Sequence, residues 1–174
     1  MGEKLVDQAC DKAIAGYLQG DREALAIIYD GMARMIFSVA YVITENYQDA
    51  EDVLQDTMIE ITKYAPSYRS GSNARAWILA MARHRSIDLV RKRKAVVAIE
   101  DAESSSEPET GSDLSRLEAL DLLSVLDEGK KQILLLRLYA ELPFKEIAAI
   151  MKISAASAQK KYQRAIRELR DYHS

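Results

Sequence analysis

The sequence predicts an all-α protein of two small helical domains, an N-terminal bundle and a C-terminal helix-turn-helix domain, joined by a flexible acidic linker. Three observations carry this. Apolar residues recur at spacings of three and four through most of the chain, the mark of amphipathic helices. Seven Gly and three Pro in 174 residues are too few for the many turns of a β-sandwich. One Ser/Glu-rich strip breaks the pattern. With 48% apolar and 29% charged residues the composition is globular, and the length fits one ordinary domain or two small ones.

The first helix carries Ala9, Ala13, Ile14, Tyr17 and Leu18 as its apolar stripe and stops at Gly20. Asp21 can cap the next helix by accepting a free backbone N–H. That helix presents Leu25, Ile28, Met32, Met35/Ile36, Val39 and Ile43. A third, from about Tyr47 to Ala65, turns Ala50, Val53/Leu54, Thr57/Met58, Ile61 and Tyr64 inward, and Pro66 ends it. After the polar loop 67–73, a fourth helix starts near Ala74 with Trp77, Ile78, Met81, Ala82, Leu89 and Val90. Arg85 falls inside that stripe, which amphipathicity alone does not explain.

The strip from about Ile99 to Asp113, with Pro108 and Gly111, has little to bury. It places a domain at 1–95, a linker at 96–113 and a second domain at 114–174. In the second domain Leu114, Leu117, Leu120, Leu123 and Leu126 form one stripe and 133–139 another helix. Phe144–Met151 then gives a short helix, a break over 152–154, and a long basic helix from Ala155. Its inward positions are Ala158, Tyr162, Ala165/Ile166 and Leu169.

The formal net charge of −3 hides strong sorting. Residues 45–62 carry six acids and no Lys or Arg, and 83–94 carry six bases against Asp88. Residues 96–113 hold six acids and no base, and 159–170 five bases against Glu168. Alternating blocks suit several oppositely charged partners, each with its own surface, although any single block also reads as a solvated helix face.

The exclusions are broad. A single Cys10 with two His permits no intramolecular disulfide and no zinc site of usual ligand count. No apolar run approaches the ~20 residues of a membrane span, and the first residues do not read as a secretory signal. These features predict a soluble protein of a reducing compartment. Phosphate-cradling, dinucleotide and zinc-protease motifs are lacking, so no enzyme, cofactor or small-molecule substrate is expected. Asp49, Glu51, Asp52 and Asp56 suggest a Mg²⁺ cluster. Yet Asp52 and Asp56 are i,i+4 acids on one helix, and no second helix supplies matching carboxylates. No metal is expected.

Two segments suit nucleic acid. Helix, turn and basic helix over 144–170 is the layout of a unit whose second helix enters the major groove. There Lys160, Lys161, Arg164 and Arg167 suit phosphates or guanine edges, Gln159 and Gln163 suit adenine, and Ser154 and Ser157 can cap the helix start. A helical hairpin with a basic face is the plain alternative. In the second segment, Tyr68 and Trp77 sit among Arg69, Arg75, Arg83 and His84. Aromatics interleaved with cations suit unstacked single-stranded bases. Trp77 also fits as core at helical spacing.

Read together, these residues resemble the bacterial sigma factors of the small extracytoplasmic-function (ECF) group. Tyr47-Gln-Asp-Ala-Glu-Asp-Val-Leu-Gln-Asp56 is similar to the family's acidic helix. Tyr68-Arg69, Ala76-Trp77-Ile78 and 81–91 are similar to its promoter-melting and −10-reading segment. Ile133–Arg137 and Phe144–Ala148 through Arg164-Ala165 are similar to its −35-reading domain. The resemblance implies a cytoplasmic protein, nucleoid-associated when bound to polymerase. Asp49, Glu51, Asp52, Gln55 and Asp56 would dock on the β′ clamp helices of core RNA polymerase. Tyr68, Arg69, Ser72, Asn73, Arg75, Trp77, Arg83, His84, Asp88, Arg91 and Lys92 would hold the opened −10 strand of promoter DNA. Ser157, Gln159, Lys160, Lys161, Gln163, Arg164 and Arg167 would read the −35 duplex, with the C-terminal domain on the β flap. The acidic linker would thread the polymerase's RNA channel, and an anti-sigma factor would supply control.

The chain departs from the family's pattern at His84, where Asn is usual. Ala156-Ser157 replaces Gly-Thr, Gln159 stands at a basic position, and Leu126-Asp127 replaces Leu-Pro. An ordinary helix-turn-helix regulator acting without polymerase is the alternative. It explains 114–174 but leaves the acidic helix and the Tyr68–Trp77 segment unused. A pure protein-interaction module is a third class.

Overall fold

The computed structural model describes residues 2–99 and 122–174, and among these every regular element is helical. Helix α1 spans Gly2–Leu18, α2 Ala24–Thr44, α3 Tyr47–Tyr64 and α4 Ala74–Ile99. A 3-10 turn, Ala65–Ser67, follows α3. The second part holds α5 (Glu128–Leu134), which runs on as a π-helical turn over Leu135–Tyr139, then α6 (Phe144–Met151) and α7 (Ala155–Tyr172).

Local chemistry sets the boundaries. Gly20 takes φ +98°, the left-handed conformation that ends α1 without a Cβ clash. Asp21 accepts from the Glu23 backbone N–H at 3.0 Å within the turn before α2, but it is not the cap expected: the N-cap of α2 is Glu23, which makes no side-chain cap bond. Asn46 caps α3 by accepting from Asp49 N, and Asn73 accepts from Ala76 N at the start of α4. Ser154 caps α7 through Ser157 N, as its position predicted. Lys152, at φ +55°, lets Ile153 N reach back to Ala148 O and close α6.

Helix α2 is the axis of the N-terminal bundle. Its Ile28, Met32, Ile36, Val39, Ala40 and Ile43 are buried against α1, α3 and α4. It is the one described helix long and apolar enough to cross a membrane, although Asp30 and Arg34 interrupt its apolar run. The stripe instead serves as core. Leu18, expected inward, is exposed beyond the last contact of α1.

The C-terminal helices pack on one another and also on the first part. Leu126, Leu134 and Ala165 form a small core of their own, with Leu123 and Leu169 against it; Leu114, Leu117 and Leu120 lie outside the described residues. Ile133, Leu136, Leu142, Ile147 and Ile150, by contrast, join a single core with Ile78, Leu79 and the α2 stripe. Helices α5 and α6 are too short to bury all their apolar surface against α7 alone, so it is buried against α2 and α4.

Helix α4 continues to Ile99, four residues into the stretch read as linker. Val96, Val97 and Ile99 are exposed there, so helix propensity and chain continuity, not burial, carry that last turn. The remainder of the proposed linker, 100–113, lies outside the described residues.

Candidate nucleic-acid interface

The expected −10 residues divide between two sides of α4. At about 100° per residue, Trp77, His84, Asp88 and Arg91 share a face, with Lys92 beside it, while Arg75 and Arg83 point elsewhere. His84 is 67% exposed, its Nδ1 3.7 Å from Asp88 Oδ2, and Arg91 Nη1 is 3.7 Å from Asp88 Oδ1. Arg91 and Lys92 are exposed. Trp77 is half-buried, its ring tilted against Tyr68 with centroids 4.8 Å apart. Trp77 thus packs one side on the core, as its helical spacing suggests, while the indole edges the loop.

The loop itself is held from α1. Asp11 accepts from Tyr68 Oη and Gly71 N, both at 2.8 Å, and from Ser70 Oγ at 3.2 Å. These donors, the Gly71 N–H foremost, keep its carboxyl below the usual aspartate range. Arg69 and Ser72 are exposed, and Ser72 N and Oγ both donate to Arg69 O.

Arg75 and Arg83 are engaged by the C-terminal part. Arg75 is 4% exposed and donates from Nη1 to Ala140 O at 2.7 Å. Its Nε is buried with no hydrogen-bond partner. Arg83 donates from Nε to Gln132 Oε1 at 2.7 Å and from Nη1 to Ile150 O at 3.2 Å. Burial lowers the pKa of its guanidinium. Arg85, the cation within the apolar stripe, pairs with Glu60 of α3 at 2.7 Å.

On α3, Asp49 pairs with Arg93, whose other nitrogen donates to Thr44 O. Asp52 and Gln55 are exposed, and Asp52 accepts only a surface bond from Gln48. Glu51 and Asp56 are half-buried. Asp49 is thus held by Arg93, Asp52 faces solvent and Glu51 and Asp56 are partly covered, and no metal-competent cluster forms among the described residues.

On α7, Ser157, Gln159, Lys160, Gln163, Arg164 and Arg167 are all exposed, while Lys161 is half-buried. Lys161 Nζ lies over Gly129, where an added Cβ would meet it at 2.9 Å. Asp127, Lys130, Ser157, Lys160, Lys161, Arg164 and Glu168 line one open groove. Lys130 bridges Glu168 at 2.6 Å and Asp127 at 3.0 Å, fixing α5 to α7. Glu168 and the ammonium it holds thus neutralise each other, leaving Lys160, Arg164, Arg167 and Arg170 as the exposed cations of α7.

The family models decide what this arrangement is. Residues 28–96 match "Sigma-70 region 2" and residues 116–169 match "Sigma-70, region 4". The chain belongs to the sigma-70 family, in its ECF group.

The ECF RNA polymerase sigma factor SigK of Mycobacterium ulcerans is 22% identical over 163 residues, covering 88% of this chain and 87% of that protein. The RNA polymerase sigma factor YlaC of Bacillus subtilis is 27% identical over 159 residues, 86% and 91% of the two chains. Among solved structures, CnrH in complex with the cytosolic domain of CnrY superposes with a TM-score of 0.71 at 20% identity, covering 94% and 96%. The sigma factor RpoE of Bartonella quintana, in complex with the anti-sigma factor NepR, gives 0.70 at 21% identity, covering 86% and 96%. The protein is a sigma factor that directs promoter-specific initiation by RNA polymerase, and the helix-turn-helix regulator acting alone is set aside. Sequence reading missed Asp7, Asp11 and Gln132. The signal for the first two was available: Asp7 and Asp11 interrupt the inward stripe of Cys10 and Ile14 on α1.

Proposed function

We propose that this sigma factor uses two separate faces to read a promoter in two forms. The face of α4 carrying Trp77, His84, Asp88 and Arg91, with Tyr68, Arg69, Ser72 and Asn73 beside it, holds the opened non-template strand of the −10 element. The outward face of α7, with Ser157, Gln159, Lys160, Gln163, Arg164 and Arg167, reads the −35 duplex from the major groove, Lys161 flanking it. The observation that supports this reading is the difference between the two. The first is an aromatic edge mixed with cations and suits unstacked bases. The second is an unbroken helical face of Gln, Lys and Arg and suits a groove.

Asp52, Gln55 and Asp56, flanked by Asp49 and Glu51, dock on the β′ clamp helices of core polymerase, and the C-terminal domain sits on the β flap. The residues 1–95 and 114–174 act as separate units on the promoter, with 96–113 spanning between them through the polymerase. Arg75 and Arg83 join the −10 surface only once α5 and α6 have left α4, since the C-terminal helices occupy both guanidinium groups. Control by an anti-sigma factor, in the cytoplasm where polymerase and nucleoid lie, accords with one structural relative having been solved with an anti-sigma factor. No chemistry is involved: binding energy for the open strand shifts the melting equilibrium.

Permanganate footprinting tests the reading. Core polymerase with this protein should make thymines of the −10 element reactive. Protection of an intact duplex without core, and no unpaired thymines with it, would overturn it.

A further inference from the structure

Helix α1 stands outside both of the surfaces just described, yet two of its carboxylates grip the loop between them. Asp7 and Asp11, one helical turn apart, face the same way. Asp7 Oδ1 accepts from Arg75 N at 3.2 Å, a first-turn N–H of α4 that has no partner within its own helix. Asp11 takes three donors from within four residues: the Tyr68 phenol, the Ser70 hydroxyl and the Gly71 N–H. Gly71 sits at φ +79°, so this carboxylate meets the loop at its left-handed turn. The Tyr68 hydroxyl has one proton and two acceptors within reach, Asp11 Oδ1 at 2.8 Å and Ser72 O at 2.9 Å, so the two share or alternate in that one donor. Its ring in turn backs the single Trp of the chain, Trp77.

We infer that Asp11 is a positioning residue for −10 recognition: it sets the shape of loop 69–72 and the tilt of Tyr68 against Trp77 without itself reading DNA. The inference rests on the reading of this loop as part of the −10 surface. Four exposed residues in a row, Arg69, Ser70, Gly71 and Ser72, have little burial to order them. Their geometry comes from hydrogen bonds, some within the loop to Arg69 O and others to Asp11, the acceptor that reaches them from α1. A pre-shaped loop selects a base because it has no ordering entropy left to lose on capture. A slack loop still binds, but accepts more bases.

The chemistry separates two substitutions. Asp11→Ala removes all three acceptor contacts. Asp11→Asn keeps one oxygen for Gly71 and Tyr68, and its amide can donate to the Ser70 hydroxyl, which accepts as well as donates. Asn therefore restores the scaffold while removing the charge.

The experiment is transcription by the full chain with core polymerase on templates randomised across the −10 element, together with the intrinsic fluorescence of Trp77. Asp11→Ala should lower discrimination between the best and next-best base at one −10 position by about fivefold, the size of one net hydrogen bond. It should also shift Trp77 emission, with core affinity unchanged. Asp11→Asn should recover most of the discrimination. Ser72→Ala and Arg69→Ala are the reference for the loop itself. If those two alter base preference while Asp11→Ala does not, the loop reads DNA and the positioning role is overturned. If all of them leave preference unchanged, the loop reading and the inference fall together. If Asn behaves as Ala does, the charge rather than the scaffold is what matters, which also overturns the inference.

Discussion

Arg83 of α4 donates from Nε to Gln132 Oε1 of α5 at 2.7 Å, a bond that joins the two halves of the chain. Gln132 is itself buried and is held by donating from Nε2 to Glu128 Oε1 at 2.9 Å. A group proposed for promoter DNA is therefore already committed inside the molecule. Arg75 is committed more deeply, though with its Nε unsatisfied, so this contact surface is held firmly at one point and imperfectly at another.

Gln132→Ala removes the acceptor and leaves Arg83 half-buried with only Ile150 O. Such a loss costs about 1.5–3 kcal/mol where the donor is charged. The two parts should separate more readily, seen as a larger radius of gyration in solution scattering and faster hydrogen exchange along α6. Unchanged scattering and exchange would show that the bond contributes nothing to holding the parts together.

Much of this architecture was legible from the sequence. The stripes of α2, α3 and α7 appear as spacings of three and four, save that Tyr64, expected inward on α3, is exposed, and Gly20, Ser154 and the 152–154 break fall where the structure has them. What stayed hidden depends on tertiary partners. Arg85 looked misplaced because Glu60, its counter-charge, is on another helix. Arg75 and Arg83 matched a DNA-facing pattern, but no local signal shows that Ala140, Gln132 and Ile150 come to meet them. Asp11 lies 57 residues from Tyr68 in the chain, and no periodicity reports a contact of that range.

The acidic edge of α3 should be a protein surface. Asp52→Lys with Asp56→Lys should weaken core association at least about tenfold, since like charges placed face to face cost several kcal/mol. Helical content should hold, because Asp52 makes only a surface bond to Gln48. Equilibrium binding to core polymerase is the measurement, and undiminished affinity would remove these residues from the interface.

Lys160→Ala and Arg164→Ala should each cost about 1–3 kcal/mol on −35 duplexes if the side chain reads a base, with relaxed selectivity at one position. A phosphate contact would instead weaken every sequence alike and flatten the salt slope by about one unit. Titrations at several salt concentrations separate the two. No effect on either quantity would mean that this face of α7 stays clear of DNA.

His84→Asn should change base preference more than affinity. The imidazole is exposed on the Trp77 face and offers a donor, an acceptor and a stacking surface, whereas Asn lacks the last. A template library randomised across the −10 element reads the difference. Matching preferences for the two proteins would take His84 out of base selection.

The most direct measurement is run-off transcription by purified core polymerase on promoter fragments, with and without this protein and with intact or scrambled −10 and −35 elements. The account predicts defined start sites only when the protein is present, lost when either element is scrambled. Initiation that is no more selective with the protein than without it would contradict it.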